Sequence, residues 1–183
     1  MPRHTSIHST TTFDNLNLIA ALKNSQSALA QLPAFLRTLL VADGTITRSL
    51  EAFFWEPIDI IQIEQQEQQC PTDFPQLELA KGTTALFRQV ELRGRQSGKL
   101  YSKADSIIKT NDIPCNWRKE LLAGRLGIGT LISDSGMESY REIISYELDC
   151  HSKNQGDVSR QYRIFLENHP TILISESFPI STY

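Results

Sequence analysis

Residues 171–183 read TILISESFPISTY, and the run from Thr171 to Pro179 alternates as a strand does. Ile172, Ile174, Glu176 and Phe178 fall on one face, and Leu173, Ser175 and Ser177 on the other. One carboxylate therefore shares a face with three large apolar side chains. A buried charge without a partner is costly, so Glu176 requires one, supplied by the protein or by a ligand.

Upstream, SRQYRIFLENHP supplies a partner strand and a turn at ENHP, which makes the C-terminus a hairpin. TALFRQVELRG and KLYSKADSII flank RQSG as a second hairpin. ESYREIISYELD is a further strand, closed by the polar turn HSKNQGD, and IDIIQIEQQ after Pro57 is the first. NLIAALKNSQSALAQLPAFLRTLLVAD has a helical period and predicts at least two helices, with Pro33 suited to a first turn. DGTITRSLEAFF predicts another, capped by Thr45 or Thr47. NDIPCNWRKELLAG predicts one ending near Gly124, with a glycine-rich loop leading out of it. EQQEQQCPTDFPQLELAKG reads as a solvated polar connection with room for a short helix.

Strands that follow one another across short polar turns pair antiparallel. The predicted class is α+β: a single antiparallel sheet of about six strands, with helices packed on one face and water free to reach the other. Residues 1–12 are expected to be a flexible terminus and 13–183 a single domain.

Forty per cent of the chain is hydrophobic and 21% charged, with a net charge of −3 and pI near 5.8. That balance gives no general attraction to nucleic acid or anionic membrane. No run approaches the roughly 20 apolar residues of a membrane span. Cys70, Cys115 and Cys150 are far apart and odd in number, which suits a reducing compartment, so the cytoplasm is expected. The four histidines have no metal-ligand spacing. Ser175 and Ser177 lie outside any GxSxG context. Trp55 and Trp117 read as packing residues.

Two arginines repeat the Glu176 pattern. Arg88 alternates with Leu86, Val90 and Leu92, and Arg141 shares a face with Ile143, opposite Tyr140, Glu142, Ile144 and Tyr146. Structural ion pairs would account for them. So would a closed pocket for a small ligand with an anionic end and a hydroxyl end. A guanidinium fork matches a carboxylate, and Glu176 can accept a hydroxyl proton or, if desolvated, donate one. AGRLGIG, with Gly124, Gly127 and Gly129, lacks the Walker ending and reads first as a helix cap and turn.

LLVADGTITRSLEAFF, FRQVELRG, YSKADSII, LLAGRLGIGTLI, MESYREII and RQYRIFLENHPTILISESFP occur in that order. Together they resemble the chorismate pyruvate-lyase family, especially its divergent cyanobacterial and microbial branch, over about residues 30–183. The resemblance implies a chorismate lyase-like sheet with an internal cavity under helical flaps. It implies cleavage of chorismate to 4-hydroxybenzoate and pyruvate, with no cofactor or metal. Arg88 falls where the family grips the ring carboxylate, Glu176 where it meets the ring hydroxyl, and the amides near Ile46 and Leu126 complete the site. The substrate-binding set becomes Arg88, Arg141, Ile46, Leu126, Gly127, Ser106 and Glu176, with Arg88 and Glu176 catalytic. Counting from Gly98, a second family arginine becomes Asp105, followed by Ser106, and Arg141 is expected to supply the missing charge. Chorismate is then the partner, and a monomer is expected, with a dimer as the alternative. The rival is a non-catalytic sensing or binding domain related to the effector domains of bacterial regulators. The first 60 residues, however, carry no strongly basic helix-turn-helix.

Overall fold

The computed structural model describes residues 11–12, 28–124, 127–152 and 155–183. Its strands are β1 (Thr11–Thr12), β2 (Ile58–Gln69), β3 (Thr84–Gly94), β4 (Leu100–Ile108), β5 (Ser139–Ser152), β6 (Gln155–Leu166) and β7 (His169–Pro179). They form one sheet in the order β1-β5-β6-β7-β4-β3-β2, every pair antiparallel. The β6–β7 hairpin turns at Glu167 and Asn168, with φ of 48° and 67°. Two consecutive left-handed residues give the twist that a tight hairpin needs.

Register lines up the inner face in rows. Arg88, Ser106, Ile174, Tyr162 and Ile143 form one row across β3, β4, β7, β6 and β5. Val90, Ala104, Glu176, Arg160 and Tyr146 form the next. Leu86, Ile108, Ile172, Ile164 and Arg141 form the row on the other side.

Among the described residues, four α-helices cover this face. α1 (Ala34–Val41) and α2 (Ile46–Phe54) bury Leu36, Leu39, Leu40, Ile46 and Leu50 against Val90, Leu92, Val158 and Phe178. α3 (Cys115–Leu122) and α4 (Ile128–Ser135) bury Trp117, Leu121, Ile128, Leu131 and Ile132 against Leu86, Tyr162, Ile164 and Ile172. Each fully buried aliphatic side chain contributes about 1.5–3 kcal/mol. None of the described helices is long and apolar enough to cross a membrane.

Several local expectations change. EQQEQQ is not a loop: β2 continues through Gln69. It is an edge strand whose second half is exposed on both faces, which is why its composition looks like a connection. The following loop folds back on the outer face, where Cys70, Leu77 and Leu79 pack on Ala85 and Leu173, so that face is partly covered. IGTLISDS is a helix, α4, rather than the continuation of a glycine-rich loop. A bulge between Ile143 and Ser145 reverses the alternation of β5 and brings Tyr146 onto the inner face, 4% exposed. Trp117 is packed as expected, but Trp55 is 89% exposed, at the left-handed residue that ends α2. Thr45 is the cap of that helix.

Candidate active site

The two helix pairs leave a cavity of about 70 Å³ between them, closed below by the sheet. Its polar lining includes Arg88, Ser106, Arg141 and Glu176, and its apolar walls include Ile60, Val90, Leu92, Ile164 and Ile174. The N-terminal turns of α2 and α4 form its roof, through Thr45–Thr47 and Gly127–Gly129. Ile46 and Gly127 are thus at the cavity. Leu126 lies outside the described residues.

Arg88 is 4% exposed, and burial pushes its guanidinium below the ordinary arginine range. Ser106 stands opposite it and donates to the Arg88 carbonyl at 3.3 Å. Register places Glu176 two strands and one inward-facing position from Arg88, about 12 Å between Cα atoms on standard sheet spacings. Arg88 and Glu176 are therefore not cross-strand neighbours, and the cavity touches both.

Glu176 has a different protein partner. Arg160, opposite it on β6, donates from Nε to Oε2 at 2.8 Å, and Tyr162 donates its hydroxyl to Oε1 at 2.8 Å. The Arg160 side chain is fully buried, and its Nη1 donates to the carbonyls of Leu40 at 3.2 Å and Ala42 at 2.9 Å. Burial works against the Arg160 charge, but Glu176 and its hydrogen bond prevail and hold the guanidinium above its usual range. Burial, then the Glu176 charge, pushes the Tyr162 phenol well up. Burial raises Tyr146 to about 12.

Arg141 reaches the cavity from β5 with its side chain 12% exposed. Asp43 stands 3.9 Å from its Nη1 but is 75% exposed, a weak contact in high dielectric. The Nε of Arg141 is buried and has no hydrogen-bond partner among the described residues.

The roof adds positive potential. Thr45 makes no side-chain cap to α2, and Gly127, which caps α4, has no side chain to offer. First-turn N–H groups of two helices thus border the cavity, the arrangement that favours anions. The two turns touch: a Cβ on Gly129 would collide with Thr45 Oγ1. Glycine allows that approach.

Every described member of the candidate set therefore lies around one cavity. Asp105 does not: it faces outward, accepting from Gln89 Nε2 at 2.8 Å, with Lys103 on the same exposed face. The inward position of that strand is Ser106, so the expected acid-for-arginine exchange falls one residue off the pocket. Arg160 and Tyr162 were missed. The signal was present, since Val158, Arg160, Tyr162 and Ile164 alternate just as Arg88 and its neighbours do. A larger open groove, about 600 Å³, lies on the outer face. Its walls hold Glu64, Asp73 and Asp105, and Arg88 borders it from the strand whose inward row turns that side chain to the other face, so acids dominate the groove and it is a poor place for an anion.

The fold is shared with a crystal structure named as a regulator from Escherichia coli CFT073, at a TM-score of 0.51 and 12% identity, covering 66% of this chain and 95% of that one. The match that defines the family is in sequence. Residues 40–183 fit the family described as "Chorismate pyruvate-lyase Rv2949c-like". A chorismate pyruvate-lyase of Mycobacterium leprae (strain TN) is 30% identical over 169 residues, 87% of this chain and 80% of that protein. One from Mycobacterium tuberculosis (strain CDC 1551 / Oshkosh) is 26% identical over 173 residues, 87% and 86% of the two chains. The protein belongs to the Rv2949c-like chorismate pyruvate-lyase family.

Proposed function

We propose that this protein is a chorismate pyruvate-lyase that releases 4-hydroxybenzoate and pyruvate. The observation that carries the reading is one cavity with Arg88, Arg141 and Glu176 set apart on its wall and, in its roof, two helix N-termini that have no side-chain cap hydrogen bond. Chorismate carries two carboxylates and one hydroxyl, and this lining offers a site for each.

Arg88 binds the ring carboxylate. Arg141 and the roof amides bind the enolpyruvyl carboxylate. Glu176 already accepts from Arg160 and Tyr162, and a carboxylate has capacity for one more donor, the C4 hydroxyl. The reaction breaks the C3–O bond and transfers the C4 hydrogen to the enolpyruvyl methylene, so chorismate becomes 4-hydroxybenzoate plus pyruvate with no other reactant. Aromatisation supplies the driving force, and the enzyme contributes a held conformer and matched charge. The widely spaced cysteines suit the cytoplasm as its place of work.

A cavity of about 70 Å³ is smaller than the roughly 150 Å³ that admits benzene in an engineered core. The roof turns must part for a ligand to enter, and they are the segments whose contact rests on Gly129. The test is incubation of the purified protein with chorismate. Equimolar 4-hydroxybenzoate and pyruvate are expected. Binding of 4-hydroxybenzoate with no turnover would make the protein a sensor, and 3-hydroxybenzoate as product would assign different chemistry.

A further inference from the structure

Arg160 is the largest fully buried side chain of the described residues, and the mechanism above gives it no contact with substrate. Its three hydrogen bonds go to two places. Nε holds the Oε2 of Glu176, while Nη1 holds the carbonyls of Leu40 and Ala42, at the end of α1. Four residues beyond Ala42 lies Ile46, the first residue of α2 and part of the cavity roof. The guanidinium also lies 4.8 Å from the Tyr162 ring, whose hydroxyl fixes the other oxygen of Glu176.

We propose that Arg160 is a positioning residue that clamps Glu176 from behind and ties it to the α1–α2 segment, so that the floor contact to the ligand hydroxyl and the roof move as one unit. This rests on the lyase reading of the same cavity. A lone ion pair would need only Nε. The further bonds to two backbone carbonyls require the planar fork of arginine, which lysine cannot reproduce.

The experiment is a double-mutant cycle read by 4-hydroxybenzoate binding in a calorimeter, with thermal unfolding alongside. Arg160→Lys keeps the charge opposite Glu176 and loses the fork; binding is expected to weaken at least tenfold. The same change in a Glu176→Gln background is expected to alter binding less than twofold, because Arg160 acts through Glu176. If Arg160→Lys does not fold, Arg160→Gln/Glu176→Gln, which leaves no buried charge unpaired, is compared with Glu176→Gln alone and is expected to bind equally. Equal losses in both backgrounds, or no loss in the first, would overturn the proposal and leave Arg160 a structural ion-pair partner. Failure of the unmodified protein to bind 4-hydroxybenzoate would overturn the lyase reading and this role with it.

Discussion

Arg88→Met separates binding from folding. Methionine occupies much of the volume of the arginine stem but carries no charge. Burial pushes the Arg88 guanidinium below its ordinary range, so the folded chain holds that charge at a cost. A methionine there removes the cost of burying the charge and also whatever the guanidinium's own contacts contribute, two terms of opposite sign that are expected to offset to within about 2 kcal/mol. For a chain of this size each kcal/mol moves the melting temperature by about 2–4 °C. The variant is therefore expected to melt within about 8 °C of the wild type. Its ligand loses a charge-assisted contact, about 1.5–3 kcal/mol, which is a rise of roughly 10- to 160-fold in the dissociation constant for 4-hydroxybenzoate. Calorimetry and scanning fluorimetry on the same sample read both. Binding within threefold of wild type would refute the carboxylate contact, and a melting temperature lowered by more than about 8 °C would show that the Arg88 charge supports the fold instead.

Arg141→Gln removes the cation assigned to the enolpyruvyl carboxylate, so KM for chorismate is expected to rise at least tenfold while 4-hydroxybenzoate, which lacks that group, binds nearly as before. Gly129→Ala drives a methyl into Thr45 and is expected to destabilise by about 1–3 kcal/mol in thermal unfolding, whereas Gly44→Ala, with nothing within 4 Å, is a silent control. Glu56 accepts from the Tyr101 hydroxyl and, at 2.8 Å, from Ser97 Oγ, and these bonds hold its carboxyl down at about 2. A depressed carboxyl stabilises the fold above its unfolded value of 4.5 and loses that contribution as the pH falls towards 2. The melting-temperature gap between wild type and Glu56→Gln should therefore be full at pH 7 and close between about pH 4.5 and 2.

The sheet was legible because β3, β6 and β7 alternate a mostly apolar face with a more polar one, and because short turns join β3 to β4 and β6 to β7. What was hidden lacks that contrast. The second half of β2 shows solvent both faces, so EQQEQQ carries no alternation to read. IGTLISDS holds a glycine in its first turn and ends in Ser-Asp-Ser, poor helix formers; it is helical because Ile128, Leu131 and Ile132 pack on the core. In the site, Arg88, Arg141 and Glu176 stood out as charges on apolar faces. Arg160 obeyed the same rule, but its target, the pair of carbonyls at Leu40 and Ala42, is 118 residues or more away in the chain. Parity decided the Asp105 question: an offset of one residue exchanges the cavity for solvent.

A structure of the protein bound to 4-hydroxybenzoate reads directly which groups hold each end of the ligand. The ligand is expected between the helix pairs, with its carboxylate on Arg88 and its hydroxyl on Glu176, Arg160 still behind that glutamate, and the α2 and α4 turns parted. A ligand lying in the outer groove, or inverted with its carboxylate at Glu176, would contradict that placement.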